Sequence, residues 1–163
     1  MQTRLLFFFA TATLTYAADW PQWLGPQRDG VWREEGIVEK FDGAPKLRWK
    51  VAVGGGYAGP AVADGRVFVT DRQLSRGGRN PANKFDRGRL AGTERILCLR
   101  ESDGKLLWKH EYECPYQLSY PAGPRCTPTV DGKRVYVLGA MGDLFCLNVA
   151  DGKINWQRKF GTV

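Results

Sequence analysis

The sequence predicts an all-β fold of repeated four-stranded antiparallel sheets, and three observations carry that prediction. The first is internal repetition. Pro60-Ala61-Val62-Ala63-Asp64-Gly65-Arg66-Val67-Phe68-Val69 returns as Pro128-Thr129-Val130-Asp131-Gly132-Lys133-Arg134-Val135-Tyr136-Val137, at an offset of 68. Leu97-Cys98-Leu99, Ser102-Asp103-Gly104-Lys105 and Trp108 return at an offset of 48 as Phe145-Cys146-Leu147, Ala150-Asp151-Gly152-Lys153 and Trp156. The second is turn chemistry: six of the ten aspartates precede glycine, the pair that supplies the positive φ of tight hairpins. The third is the apolar character of both faces in Ile96-Leu97-Cys98-Leu99 and Leu144-Phe145-Cys146-Leu147. A sheet with one wet face would alternate polar and apolar, so these strands are covered on both sides. Four-stranded sheets of about 45 residues, buried between neighbours, are the blades of a β-propeller.

Each element follows in chain order. Met1 to Ala17 reads as a secretory signal, with Arg4 at the start, an apolar run from Leu5 to Leu14, and Thr15-Tyr16-Ala17 offering small residues for cleavage. The apolar run is far shorter than the ~20 residues of a spanning helix, so no transmembrane span is expected after cleavage. The mature chain would begin at Ala18, leaving 146 residues with a net charge of +6. Residues 18–46 form a lead-in, and propeller repeats occupy 47–163. Leu47-Arg48-Trp49-Lys50 resembles the last strand of a preceding, partly degenerate copy.

The first full blade is expected over 57–112. Its strands are Pro60 to Ala63, Arg66 to Thr70, Arg95 to Arg100 and Lys105 to Tyr112. The two repeat offsets differ by 20, which places a 20-residue insertion in this copy, within 71–95. The second blade is expected over 124–160. Trp108 and Trp156 each stand four residues after the glycine of the last turn. A large flat side chain recurring there packs against the adjacent blade, so Trp49, Trp108 and Trp156 are assigned a blade-docking role.

Composition excludes several classes. At 43% hydrophobic, 25% charged and 12% aromatic, the 163-residue chain is neither a disordered tail nor a collagen-like array. Cys98 and Cys146 hold equivalent mid-strand places and read as small core residues. They would sit on stacked sheets about 10 Å apart, too far to bridge. Cys114 and Cys126 flank the connection between blades, where a disulfide would close a short loop in an oxidising compartment; free thiols are the alternative. Cys98, His110, Cys114 and Cys126 match no standard zinc spacing, and His110, the only histidine, is expected to face solvent. Gly54-Gly55-Gly56 precedes strand rather than helix, which argues for a blade-to-blade turn rather than a phosphate loop.

The insertion is the least generic stretch. Arg72, Arg76, Arg79, Lys84, Arg87, Arg89 and Arg95 stand against Asp71, Asp86 and Glu94. Gly77-Gly78 and Asn80-Pro81 keep it irregular. The plain reading is a solvated loop covering a ring edge; the alternative is an exposed basic loop that draws an anionic partner, whether an acidic protein, a polyanionic glycan or lipid headgroups. Nucleic acid is not an expected partner, because an export signal leads away from it and basic and aromatic residues do not interleave.

The run Ala150-Asp151-Gly152-Lys153-x-x-Trp156, with its twin at Ser102 to Trp108, resembles the tryptophan-docking repeat of quinoprotein (pyrroloquinoline quinone, PQQ) propellers, which BamB-type outer-membrane assembly proteins share. Asp19-Trp20-Pro21-Gln22-Trp23-Leu24-Gly25-Pro26 and Gly54-Gly55-Gly56-Tyr57 resemble the secreted bacterial PQQ-like repeat proteins of that superfamily. The resemblance implies a ring of seven or eight blades, of which the chain holds about two. It is thus expected to be an N-terminal part of a longer propeller, with self-assembled copies as the alternative source of the remaining blades. It also implies an exported protein, periplasmic or extracellular, with envelope proteins or an anionic ligand as partners. Quinoprotein dehydrogenases of this type use vicinal cysteines, PQQ and calcium. The cysteines here are never adjacent and no calcium-loop spacing appears, so the residues assign no catalytic, cofactor or metal site. A non-enzymatic binding or scaffold module is favoured. A PQQ-dependent alcohol or sugar dehydrogenase with its catalytic residues elsewhere is the alternative.

Overall fold

The computed structural model describes residues 18–161. The signal expected over residues 1–17 lies outside them. Eight strands form in chain order: β1 (Ala61–Ala63), β2 (Arg66–Leu74), β3 (Gly92–Arg100), β4 (Leu106–Glu113), β5 (Thr129–Asp131), β6 (Arg134–Leu138), β7 (Asp143–Asn148) and β8 (Ile154–Lys159). They make two antiparallel sheets, β1-β2-β3-β4 and β5-β6-β7-β8, and no helix occurs among the described residues. The all-β expectation of four-stranded blades is met, and the two blades do not close a ring among the described residues.

The repeat survives in fine detail. In both sheets the register slips at the same place, between Cys98 and Leu99 and between Cys146 and Leu147. Asp64 (φ 51°) and Gly65 (φ 68°) turn β1 into β2 with two left-handed residues, the geometry that matches strand twist in a two-residue hairpin. Ile96, Leu97, Cys98 and Leu99 are all buried, as strands covered on both faces must be. One face feeds the core between the sheets, where Phe68, Ile96 and Trp108 meet Val135, Val137, Phe145 and Leu147. The other face holds Val67, Leu97 and Leu99 under Trp49, Val62 and Val69. Each such side chain contributes about 1.5–3 kcal/mol on burial.

Tryptophans join the layers. The Trp108 indole covers the Gly152 turn and donates its Nε1 hydrogen to the Val149 carbonyl at 2.9 Å. Trp49 repeats the arrangement one layer earlier, over Gly104, donating to the Glu101 carbonyl at 2.7 Å. Trp156 has the same register place as Trp108 but is 39% exposed, because no further sheet follows it among the described residues.

The lead-in crosses the inner edges of both blades. Trp20 exchanges two backbone hydrogen bonds with Val62 of β1, and the Pro21 carbonyl accepts from Val130 of β5. Residues 54–57 run beside β2 as well as linking blades. Gly55 pairs with Arg72, and Tyr57 donates to the Pro124 carbonyl. The chain passes so close that a Cβ at Gly55 would strike the Ala122 carbonyl.

The insertion differs from its sequence reading at both ends. β2 runs on to Leu74 and β3 starts at Gly92, so the irregular part is only residues 75–91. Charged side chains drive this extension. Asp71 faces Arg95 across the two strands and pairs with it, while Arg72, opposite Glu94, donates instead to the Pro121 and Leu90 carbonyls.

Candidate functional site

The site is the face built where loop 75–91 meets the inter-blade connection 114–128. Its roots are buried and charged. Asp71, 1% exposed, is ion-paired with Arg95, whose Nε donates to the carboxylate at 2.8 Å; the Gly54 amide donates to the same carboxylate. The Asp71 contact raises the Arg95 pKa above its ordinary value. Beside it, Glu94 is 2% exposed and accepts from the Tyr112 hydroxyl, the Tyr116 hydroxyl and the Ala140 amide. This carboxylate therefore ties β3, β4, the connection and the β6–β7 turn together. Burial, reinforced by the Glu94 charge, pushes both tyrosine hydroxyls well above the usual phenol range.

Arg72 is a correction to the sequence reading. It is not an exposed cation of the loop but 3% exposed. Its guanidinium lies 3.9 Å from the Tyr116 ring centroid and donates to the Pro121 and Leu90 carbonyls. Desolvation lowers its pKa, and the strand extension explains its position: β2 carries it inward beneath the connection.

Above these roots the loop is fastened to the connection. Leu90 and Tyr116 exchange backbone hydrogen bonds, the Tyr120 amide donates to the Lys84 carbonyl, and Arg87 donates to Ser119 Oγ at 3.2 Å. Phe85 meets Tyr120 edge to face, with centroids 5.2 Å apart. Arg125 donates to the Ser119 and Tyr120 carbonyls and lies 5.8 Å over the Tyr57 ring. The outer surface of this loop carries Arg76, Arg79, Lys84, Arg87 and Arg89, and the connection adds Arg125, all exposed. Among the described residues none of these six cations is ion-paired, and Asp86 is the only carboxylate in loop 75–91.

Cys98 and Cys146 are buried in the core as expected, whereas Cys114, Cys126 and His110 depart from expectation. All four cysteines are free thiols, so the bridge considered for Cys114 and Cys126 is not formed. Cys114 is turned into the interior near Glu94 while Cys126 stands at the surface. Burial pushes the Cys114 thiol up to about 12 and the Cys98 thiol up to about 11. His110 does not face solvent. It is half-buried between blades, against Phe145 (5.0 Å) and Tyr112 (6.2 Å), and desolvation lowers its pKa. With Asp143, Gln157, Arg158 and Lys159 these rings line a cleft of about 530 Å³ between β4 and β8.

Among the described residues no three His, Cys, Asp or Glu side chains gather so as to hold a metal ion. Sequence reasoning missed Asp71, Glu94, Arg95, Tyr112 and Tyr116 as a network. Their available signal was the mirrored charge, Asp71-Arg72 before the insertion and Glu94-Arg95 after it.

Comparison with known proteins places the fold. Residues 34–162 match the family described as outer membrane protein assembly factor BamB. The chain belongs to this family. Solved structures match as well, among them BamB from Moraxella catarrhalis, at 18% identity over 47% of this chain with a TM-score of 0.33. The chain spans 21% of the length of that BamB structure. No curated protein matches it. Among the described residues no helix is long and apolar enough to cross a membrane.

Proposed function

We propose that the chain is the binding part of an exported, BamB-like propeller that works in the cell envelope as a non-enzymatic scaffold, holding an anionic partner on the face of loop 75–91. The observation that carries this reading is the loop itself: exposed, unpaired cations on a segment fixed by backbone bonds and rooted in the buried Asp71–Arg95 ion pair. A solvated loop that only covers an edge needs no such foundation. A binding loop gains from it, because a pre-ordered segment loses less entropy on association. Family membership and the apolar leader of residues 1–17 support the envelope as its place of work.

Two equal-charge variants test the reading. One changes Arg76, Arg79, Lys84, Arg87 and Arg89 to glutamine; the other changes Lys40, Lys46, Arg48, Lys50 and Lys133, which are exposed elsewhere. The loop variant is expected to lose affinity for heparin by about tenfold or more, while the control loses little, since single exposed pairs contribute only ~0–1 kcal/mol each. Equal loss in both variants would show that net charge, not this face, does the binding.

A further inference from the structure

We propose that the anionic partner of this face is a uronate-bearing polysaccharide, an inference that rests on the reading above and deepens it. Exposed aromatic rings accompany the charge. Phe85 is 67% exposed, Tyr57 is 51% exposed and Tyr120 is 40% exposed. They form one linked row: Phe85 against Tyr120, Arg125 bonded to the Tyr120 carbonyl, and Tyr57 beneath the Arg125 guanidinium. Arg87, anchored to Ser119, flanks the same row. Exposed aromatic rings and guanidinium groups therefore follow one another along this face.

That combination of groups suits a sugar acid. A pyranose ring has a flat face of C–H bonds that stacks on an aromatic ring, and its carboxylate projects from the rim toward a guanidinium fork. A protein interface asks for the opposite arrangement, an apolar core depleted of charge inside a polar rim. An acidic peptide would satisfy Arg87 and Arg125 but would leave the rings of Phe85 and Tyr57 without a matching flat partner. The surface of loop 75–91, with five cations and one carboxylate, then extends the same polyanion track.

The test is a titration of the whole chain with an alginate hexamer and, separately, with a polyglutamate of equal charge. Phe85→Ala and Tyr57→Ala are compared with Trp32→Ala, which removes an exposed aromatic elsewhere. The expected result is preference for alginate, with each on-face variant weaker by about fivefold and Trp32→Ala unchanged. If polyglutamate binds as tightly and the aromatic variants change nothing, the polysaccharide assignment is overturned while the anionic face stands. If neither polyanion binds the parent chain, both readings fall.

Discussion

Gly152 sits at φ 71° directly beneath the indole of Trp108, in a turn that leaves no room for a side chain. The same pairing joins Trp49 to Gly104, so each blade is fastened by an aromatic plate on a left-handed glycine and one indole hydrogen bond. An added Cβ at Gly152 would lie 2.5 Å from the ring. Gly152→Ala is therefore expected to cost about 3 kcal/mol, from left-handed strain and overpacking together. Gly132→Ala, at φ 54° with open space around it, should cost only about 1–2 kcal/mol. Urea denaturation of both variants checks the difference; equal losses would mean that the indole does not press on the turn.

Tyr116→Phe removes one of three donors to the buried Glu94 carboxylate and keeps the ring under Arg72. Hydrogen bonds to charged groups contribute about 1.5–3 kcal/mol, and a loss in that range is expected from denaturant midpoints. A loss below about 0.5 kcal/mol would show that water replaces the hydroxyl and that Glu94 is not sealed.

How far these features were legible in the sequence differs sharply between blades and site. The strands, the hairpin turns and the tryptophan places repeat at fixed offsets, and repetition converts weak local signals into strong ones. Loop 75–91 occurs once, so nothing calibrates it. Arg72 reads as one more cation of a basic stretch, and only the continued pairing of β2 with β3 turns it inward. Glu94 collects partners from β4, the connection and the second blade, at separations of 18, 22 and 46 residues. No local pattern encodes such a meeting. His110 was misread for the same reason: its neighbour Phe145 belongs to the other blade.

His110 also sets a pH dependence. Its folded-state pKa lies below the ordinary value because of desolvation, partly offset by Glu111, while Asp143, Arg158 and Lys159 share its cleft. The unfolded chain then takes up the proton first. Stability is full above about pH 6.5 and falls as pH drops from there toward the lower folded value. Denaturation midpoints taken at about pH 8 and about pH 5 should fall less in His110→Gln than in the parent chain. Identical falls would remove the histidine from the account.

Thiol accessibility separates the cysteines. Cys126 is exposed, whereas Cys98, Cys114 and Cys146 are buried. Ellman's reagent should react with one thiol quickly in the folded chain and with all four after unreduced unfolding. A Cys114–Cys126 bridge would instead give no fast thiol and only two on unfolding.

The most direct measurement is amide hydrogen exchange on the whole chain, with and without saturating alginate hexamer. New protection is expected in residues 75–91 and 114–128, centred on Phe85, Arg87 and Tyr120, with the blades unchanged. Protection confined to the cleft between β4 and β8, or to the exposed Trp156 strand, would place binding elsewhere and contradict the account.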